Sequence, residues 1–373
     1  MDALLRPIFG RQARLLLLEL DLTQPLLEEH PATPQARWQS RRRLVLPAVV
    51  KALREAAGDP RVIGLVAKVG ARRMGFAQAQ ELRAAVLGFK SREKRAIAWC
   101  ETFGEMSAAT VPYYLATAFD EIWAQPSGEV GLVGVSAGSL FLAEALEQLG
   151  ARPQFGARYE YKNAANIFTE RGFTEAHREA LATLVASLSG QIVAGVAEAR
   201  GLEPGTVRQL VERAPLPANE ARQVGLLDHL GYRDHVYAAA LAKPEGPRPQ
   251  LLFVQRYRRK TPPFERASRL VARQRPFIAL VTGVGTIRLG RSTKGAFAAM
   301  GSDTVCAALR AAGRNPRVKA VVFRVNSPGG SYVASDAIWR EVSCLREAGT
   351  PVVVSMGDVA ASGGYFVSAP ADA

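Results

Sequence analysis

ALREAAGDPRV, residues 52–62, returns as ALRAAGRNPRV at 308–318, identical at seven of eleven positions and offset by 308 − 52 = 256. Each copy spaces its apolar residues as a helix does, closes on Pro60 or Pro316, and runs into an apolar stretch, GLVAKV (64–69) or AVVFRV (320–325). A helix, a turn and a buried strand are therefore written twice. At an offset of 252 the correspondence resumes, VPYYLATAFD (111–120) against GGYFVSAPAD (363–372). So long a period means duplicated domains rather than a solenoid. Each copy reads strand, helix, strand, glycine-rich or polar turn, helix, strand, turn, helix, an α/β pattern around a mainly parallel sheet.

The repeat sets the expected boundaries. A first domain covers 1–245, a basic linker 246–276, and a second domain begins at 277 and runs to 373. KPEGPRPQ (243–250) has the proline and glycine of a linker, and QRYRRKTPPFERASRLVARQRP (255–276) is rich in arginine with Glu265 its one acidic residue. The first copy continues for about 120 residues past Asp120 before the linker, whereas the second ends at Ala373, so the second copy is expected to be incomplete.

Composition narrows the chemistry. The 373 residues are 48% hydrophobic, enough to build two cores. Cys100, Cys306 and Cys344 are too few and too far apart for a disulfide framework or a zinc pattern. The net charge of +14 comes from 39 Arg and 9 Lys, so any amine base is one of nine residues. The excess suits an anionic membrane surface or nucleic acid, and it is equally what biased coding would leave. LLLLELD (15–21) reads as a buried first strand, too short and too charged to span a bilayer, and no signal peptide is evident.

Two turns of the second copy carry the chemical interest. In RVNSPGGSY (324–332) a strand ends at Pro328, and Gly329 and Gly330 permit positive φ and close approach of a ligand to backbone N–H groups. Glycine punctuation of a βα turn would look the same. In VSMGDVAASGGY (354–365) a strand gives way to small residues and then to Ser362 at the start of an apolar helix. A serine there is an ordinary N-cap, or a nucleophile favoured by the helix dipole and the Gly363 N–H. Ala360 departs from the G-x-S-x-G pattern of the α/β-hydrolase elbow.

A serine hydroxyl needs a base. His177 reads as a solvated residue of an amphipathic helix, His229 and His235 as the end of a domain, and His30 as part of a polar loop. None has an evident carboxylate partner, which favours a lysine. Lys162, in YEYKNAANIFTERGFT (159–174), is the candidate, since Tyr159, Tyr161, Ala164, Ala165 and Ile167 could partly exclude water and favour the neutral amine. An exposed surface lysine is the alternative.

VNSPGGS, AASGGY, YKNAANIFT and the duplication together resemble the long, two-domain form of the signal peptide peptidase A (protease IV) family. The resemblance implies tandem ClpP/crotonase-like domains built from repeated ββα units. It further implies a membrane-associated serine peptidase assembled as a homo-oligomer, a tetramer, that cuts released signal peptides. Carried over by motif, Ser362 is the nucleophile, Lys162 the general base, and Gly363 with Gly329 or Gly330 the oxyanion hole. No metal or cofactor is implied and no nucleic acid is expected. At the matching offsets the first copy has Thr110 in place of Ser362 and GARRM (70–74) in place of NSPGG, so it is expected to supply the base but no second active site. Family members often carry an N-terminal anchor. Here the Arg-rich linker, from Arg256 to Arg275, is an alternative means of holding an anionic membrane, and without an anchor the location expected is cytoplasmic. Two other readings remain. One is a crotonase-like acyl-CoA enzyme, against which stands the lack of a glutamate in either turn; the other is a non-catalytic scaffold or inactive fragment.

Overall fold

The computed structural model describes residues 15–29, 43–70, 74–105, 108–242, 249–257, 275–293 and 298–373. Most of the basic linker lies outside these residues, including Arg258, Arg259, Lys260, Arg266, Arg269 and Arg273, as does His30. Two compact units are formed. One comprises Met1–Lys68, Met74–Ala96 and Ala239–Ala373, the other Val69–Arg73 and Ile97–Ala238.

The first unit is built on parallel strands. β1 (Leu16–Asp21) lies between β2 (Val62–Lys68) and β6 (Gln250–Phe253) and runs parallel to both. Its LLLELD sequence is buried through Leu20, as a strand covered on both faces requires. The second parallel set has the order β7 (Phe277–Val284), β8 (Val318–Ser327), β9 (Val352–Ala360). Helices α6 (Ser302–Arg314) and α7 (Tyr332–Glu347) share one apolar core with it, in which Leu309, Ile338 and Val342 meet Val321, Phe323 and Val325.

The repeated stretches take the same local structure. α1 (Leu46–Ala57) buries Val49, Leu53 and Ala56, and α6 buries Val305, Leu309 and Ala312, each 256 positions on. The i, i+4, i+7 spacing places these on one helix face. After each helix an Asx side chain folds the turn: Asp59 Oδ1 accepts from Arg61 N–H at 3.0 Å and Asn315 Oδ1 from Arg317 N–H at 3.1 Å. The next strands then start with Val62 N–H on Asp59 O and Val318 N–H on Asn315 O.

The first-copy turn has one feature the second lacks. Asp59 is buried, bonded through Oδ2 to the Tyr257 hydroxyl at 2.9 Å and to the Arg61 guanidinium at 2.6 Å. Burial alone would raise its carboxyl, but hydrogen bonds from the Arg61 side chain and backbone and from Tyr257 outweigh it and hold the group at about 2. A folded value below the ordinary 3.8 means that the ionised form stabilises the fold above that pH, and that this contribution disappears as pH falls towards 2. Asp59→Asn is therefore expected to lower urea-unfolding stability by about 2 kcal/mol at neutral pH. The gap from the parent should narrow steadily below about pH 4. A gap independent of pH would mean that the ion pair contributes nothing.

The second unit carries β3 (Arg95–Cys100) from Ile97 on, β4 (Glu121–Ala124) and β5 (His229–Leu230), again parallel. α3 (Thr110–Ala116) precedes β4, and the 26-residue α4 (Glu175–Arg200) is followed by α5 (Pro204–Arg213). Thr174 caps α4 by accepting from His177 N–H, and Gly201 ends it at φ 64°, a left-handed cap that costs glycine little. Arg200 then reaches Asp228 at 2.8 Å, and Asp228 accepts from the Ile122 N–H. Ile192, Val193, Val196 and Ala197 bury the C-terminal half of α4, while most of 178–191 is exposed or half-buried. Among the described residues α4 is the one helix long and apolar enough to cross a membrane, by length and composition only.

Candidate active site

The NSPGG turn ends β8 and leads into α7. Ser327 is fully buried, and its Oγ accepts from the Gly329 N–H at 3.1 Å. Gly329 and Gly330 stand at φ 98° and 151°, where side-chain-bearing residues are strained. The strand Thr286–Arg288 brackets them: Ile287 N–H donates to Gly329 O and Ser331 N–H to Ile287 O. Glycine is required here by space as well. A Cβ at Gly330 would lie 2.1 Å from Ile287 O, and one at Gly329 would lie 2.7 Å from the Gly363 nitrogen and 2.8 Å from Ser362 Cβ.

Those last contacts place Ser362 and Gly363 directly on the glycine turn. β9 ends at Ala360, Ala361 N–H donates to Ser327 O at 3.0 Å, and Ser362 opens the single helical turn α8 (Gly363–Phe366). Gly363 packs just as tightly, since a Cβ there would meet Ser335 Oγ at 2.5 Å. Ser362 is exposed, with φ 51° and ψ −118°. This is not the left-handed helical region, where ψ is positive, but a strained one that non-glycine residues occupy at functional sites. Although Ser362 holds the N-cap position, its side chain makes no capping hydrogen bond. The ordinary capping role weighed from the sequence is thus not the one adopted. An α/β-hydrolase serine sits on a comparably strained strand-to-helix turn, and here that geometry is reached with Ala360 paired to Ser327.

Among the described residues, no acceptor engages the N–H of Gly330 or of Gly363. Gly329 differs, its N–H being committed to Ser327. Of the two glycines left open by sequence, Gly330 is the one with a donor to offer, and Gly329 is the one whose missing side chain lets the turns touch.

Lys162 belongs to the second unit. It lines an open cleft of about 700 Å³ with Phe155, Tyr159, Glu170, Glu175 and Glu179. The shielding expected from its neighbours is not provided by this unit: Lys162 is exposed, Tyr159 and Tyr161 are 85% and 52% exposed, and Tyr161 donates instead to Glu179 at 2.7 Å. Of the other neighbours expected to exclude water, Ala164 is exposed and Ala165 and Ile167 are half-buried. The structure thus brings together Ser362, Gly363, Gly329 and Gly330 and carries Lys162 on a separate unit.

The histidines also differ from expectation. His177 is only 6% exposed, not solvated, and its ring lies 4.9 Å from that of Phe173 and 6.3 Å from that of Phe141. Phe141 lies far upstream in sequence, so helical periodicity gave no sign of it. His229 is half-stacked on Trp123 and 3.5 Å from Glu121, and His235 is 3.8 Å from Asp234.

The parallel strands define a mixed α/β protein in which an exposed serine stands beside a glycine turn. Comparison with known proteins is specific. The model of peptidase family S49 matches residues 89–245. Serine protease SPPA, chloroplastic, of Arabidopsis thaliana is 28% identical over 334 residues, which cover 88% of this chain and 48% of that protein. Protease 4 of Haemophilus influenzae is 31% identical over 342 residues, 87% of this chain and 53% of the relative. Protease 4 of Salmonella typhi is 30% identical over 335 residues, 87% and 52% respectively. Residues 89–245 thus carry a match to peptidase family S49, whose fold is ClpP/crotonase-like, and most of the chain is similar to these proteases. The chain spans about half the length of the curated relatives it matches.

Proposed function

We propose that this protein is a serine endopeptidase of the signal peptide peptidase A type, hydrolysing apolar peptides such as released signal peptides. The observation that carries the reading is Ser362: a non-glycine residue held at φ 51°, ψ −118°, exposed, uncapped and pressed against the Gly329–Gly330 turn. Strain of this kind persists where the surroundings enforce it and function requires it. Ser362 Oγ is the nucleophile and Lys162 Nζ the general base. The amine takes the hydroxyl proton as Oγ bonds to the scissile carbonyl carbon, and the carbonyl oxygen becomes an oxyanion held by the N–H groups of Gly363 and Gly330. Collapse breaks the C–N bond, and the leaving amine takes the proton back from the ammonium. Water, deprotonated by the same amine, then hydrolyses the ester.

The Arg-rich linker and the apolar, largely uncovered α4 support association with an anionic membrane surface, and the protein acts as a homo-oligomer. Sedimentation with anionic vesicles at low and high salt tests the first, and salt-insensitive non-binding contradicts it. The test of the chemistry is Lys162→Ala in the full-length protein. Cleavage of an apolar peptide is expected to fall by about 10³-fold or more, and parent activity to rise along an alkaline limb as an amine deprotonates. Full activity in the Lys162→Ala protein contradicts the dyad.

A further inference from the structure

β8 and β9 pair regularly from Val321–Val352 to Val325–Met356, and the next pair is Ser327–Ala360. Gly357, Asp358 and Val359 therefore lie opposite Asn326 alone, a bulge just before the strand delivers Ser362. Asn326 closes the bulge from inside. Its Oδ1 accepts from Val359 N–H at 3.2 Å, and a Cβ at Gly357 would lie 2.8 Å from its side chain.

The outside of the bulge is held by a distant part of the chain. α2 (Phe76–Lys90) begins at Gly75 with no capping side chain of its own. Asp358 supplies the cap: its Oδ1 accepts from Ala77 N–H at 2.9 Å and from Gln78 N–H at 3.2 Å, across 281 and 280 positions of sequence. Gly75 is needed for this approach, since a Cβ there would lie 1.9 Å from the Asp358 carboxyl carbon. Arg324, on the neighbouring strand, completes the connection. It donates through Nη1 to Ser355 Oγ at 3.0 Å and Met356 O at 3.1 Å, and it ion-pairs with Glu81 of α2 and, at 3.6 Å, with Glu28. In the repeat, α2 follows GARRM, the first-copy counterpart of the NSPGG turn.

We propose that Asp358, assisted by Arg324, is a positioning residue for Ser362: by capping α2 it fixes the β9 bulge, and the fixed bulge sets the strained backbone from which the nucleophile projects. The inference rests on the peptidase reading. A strained φ and ψ hold only while neighbouring structure over-determines them, and beside Ser362 the backbone is tied by Ala361 N–H to Ser327 O and by Gly364 N–H to Ala361 O. The cap extends that support four residues upstream and ties it to a helix of fifteen residues.

The test uses the full-length protein, a fluorophosphonate as the serine-directed probe, and Asp358→Ala beside Asp358→Asn. In Asp358→Ala, amide exchange at residues 77 and 78 is expected to accelerate. Its maximal rate of inactivation should fall about tenfold while the half-saturating probe concentration stays within about twofold, a loss of alignment and not of binding. Asp358→Asn keeps an oxygen that can accept from the same N–H groups, so it should recover most of the rate. Faster exchange with an unchanged inactivation rate overturns the positioning role, and so does unchanged exchange or an equal loss in Asp358→Asn. A parent protein that takes up no probe is a different result: it overturns the peptidase reading and this inference with it.

Discussion

Ser362→Ala is expected to lower peptide cleavage by roughly 10⁴-fold or more and to abolish fluorophosphonate uptake, because it removes the hydroxyl that forms the acyl-enzyme. The companion substitution, Ser362→Gly, separates two roles that serine could have. If Ser362 merely capped α8, glycine would be neutral or slightly worse. At φ 51° and ψ −118°, however, a side chain costs energy that glycine does not incur. Ser362→Gly should therefore be equally inactive yet more stable than the parent by about 1 kcal/mol in urea unfolding. Gain of stability with loss of activity is the signature of strain kept for function. A destabilised Ser362→Gly would show that the backbone is not strained there.

Gly329→Ala is the second large effect. The added methyl would lie 2.7 Å from the Gly363 nitrogen and 2.8 Å from Ser362 Cβ, both belonging to a tightly bonded turn that cannot swing aside as a flexible side-chain end can. Either the φ 98° turn or the serine must move. Activity per folded molecule is expected to drop by about 10²-fold or more, since misplacement of about 1 Å at a reacting group has that consequence, and stability should fall by about 2 kcal/mol. Gly349→Ala is the control. Its φ of 78° is also positive, but a Cβ there meets nothing within 4 Å, so it should cost about 1 kcal/mol and leave activity intact. Equal activity loss in both variants would mean that glycine 329 matters only for folding.

The parts of this structure that sequence could disclose are the local ones. Leu53 and Leu309 sit at the same place in the same motif, and the helix face, the Asx turn and the strand start that follow are all set within a dozen residues. The glycine pair and Ser362 were legible as types, because small residues at the end of an apolar strand mark close approach. What made them a site was not. The backbone angles of Ser362 and the Asp358 cap depend on contacts between segments far apart in the chain, which periodicity cannot encode. His177 was misread for the same reason: its helix looks amphipathic, but the rings that bury it come from Phe141 and Phe173. Around Lys162 the expected shielding by Tyr159 and Tyr161 is not provided within its own unit, where both rings are exposed.

The most direct test of the account is the location of the covalent adduct formed by a fluorophosphonate on the full-length protein, mapped by peptide mass spectrometry. The adduct should fall on Ser362, in the peptide that follows Arg346, and be absent when Lys162 is alanine. A protein that forms its adduct on another residue, such as Ser331 or Ser355, or that labels Ser362 equally well without the lysine, contradicts it.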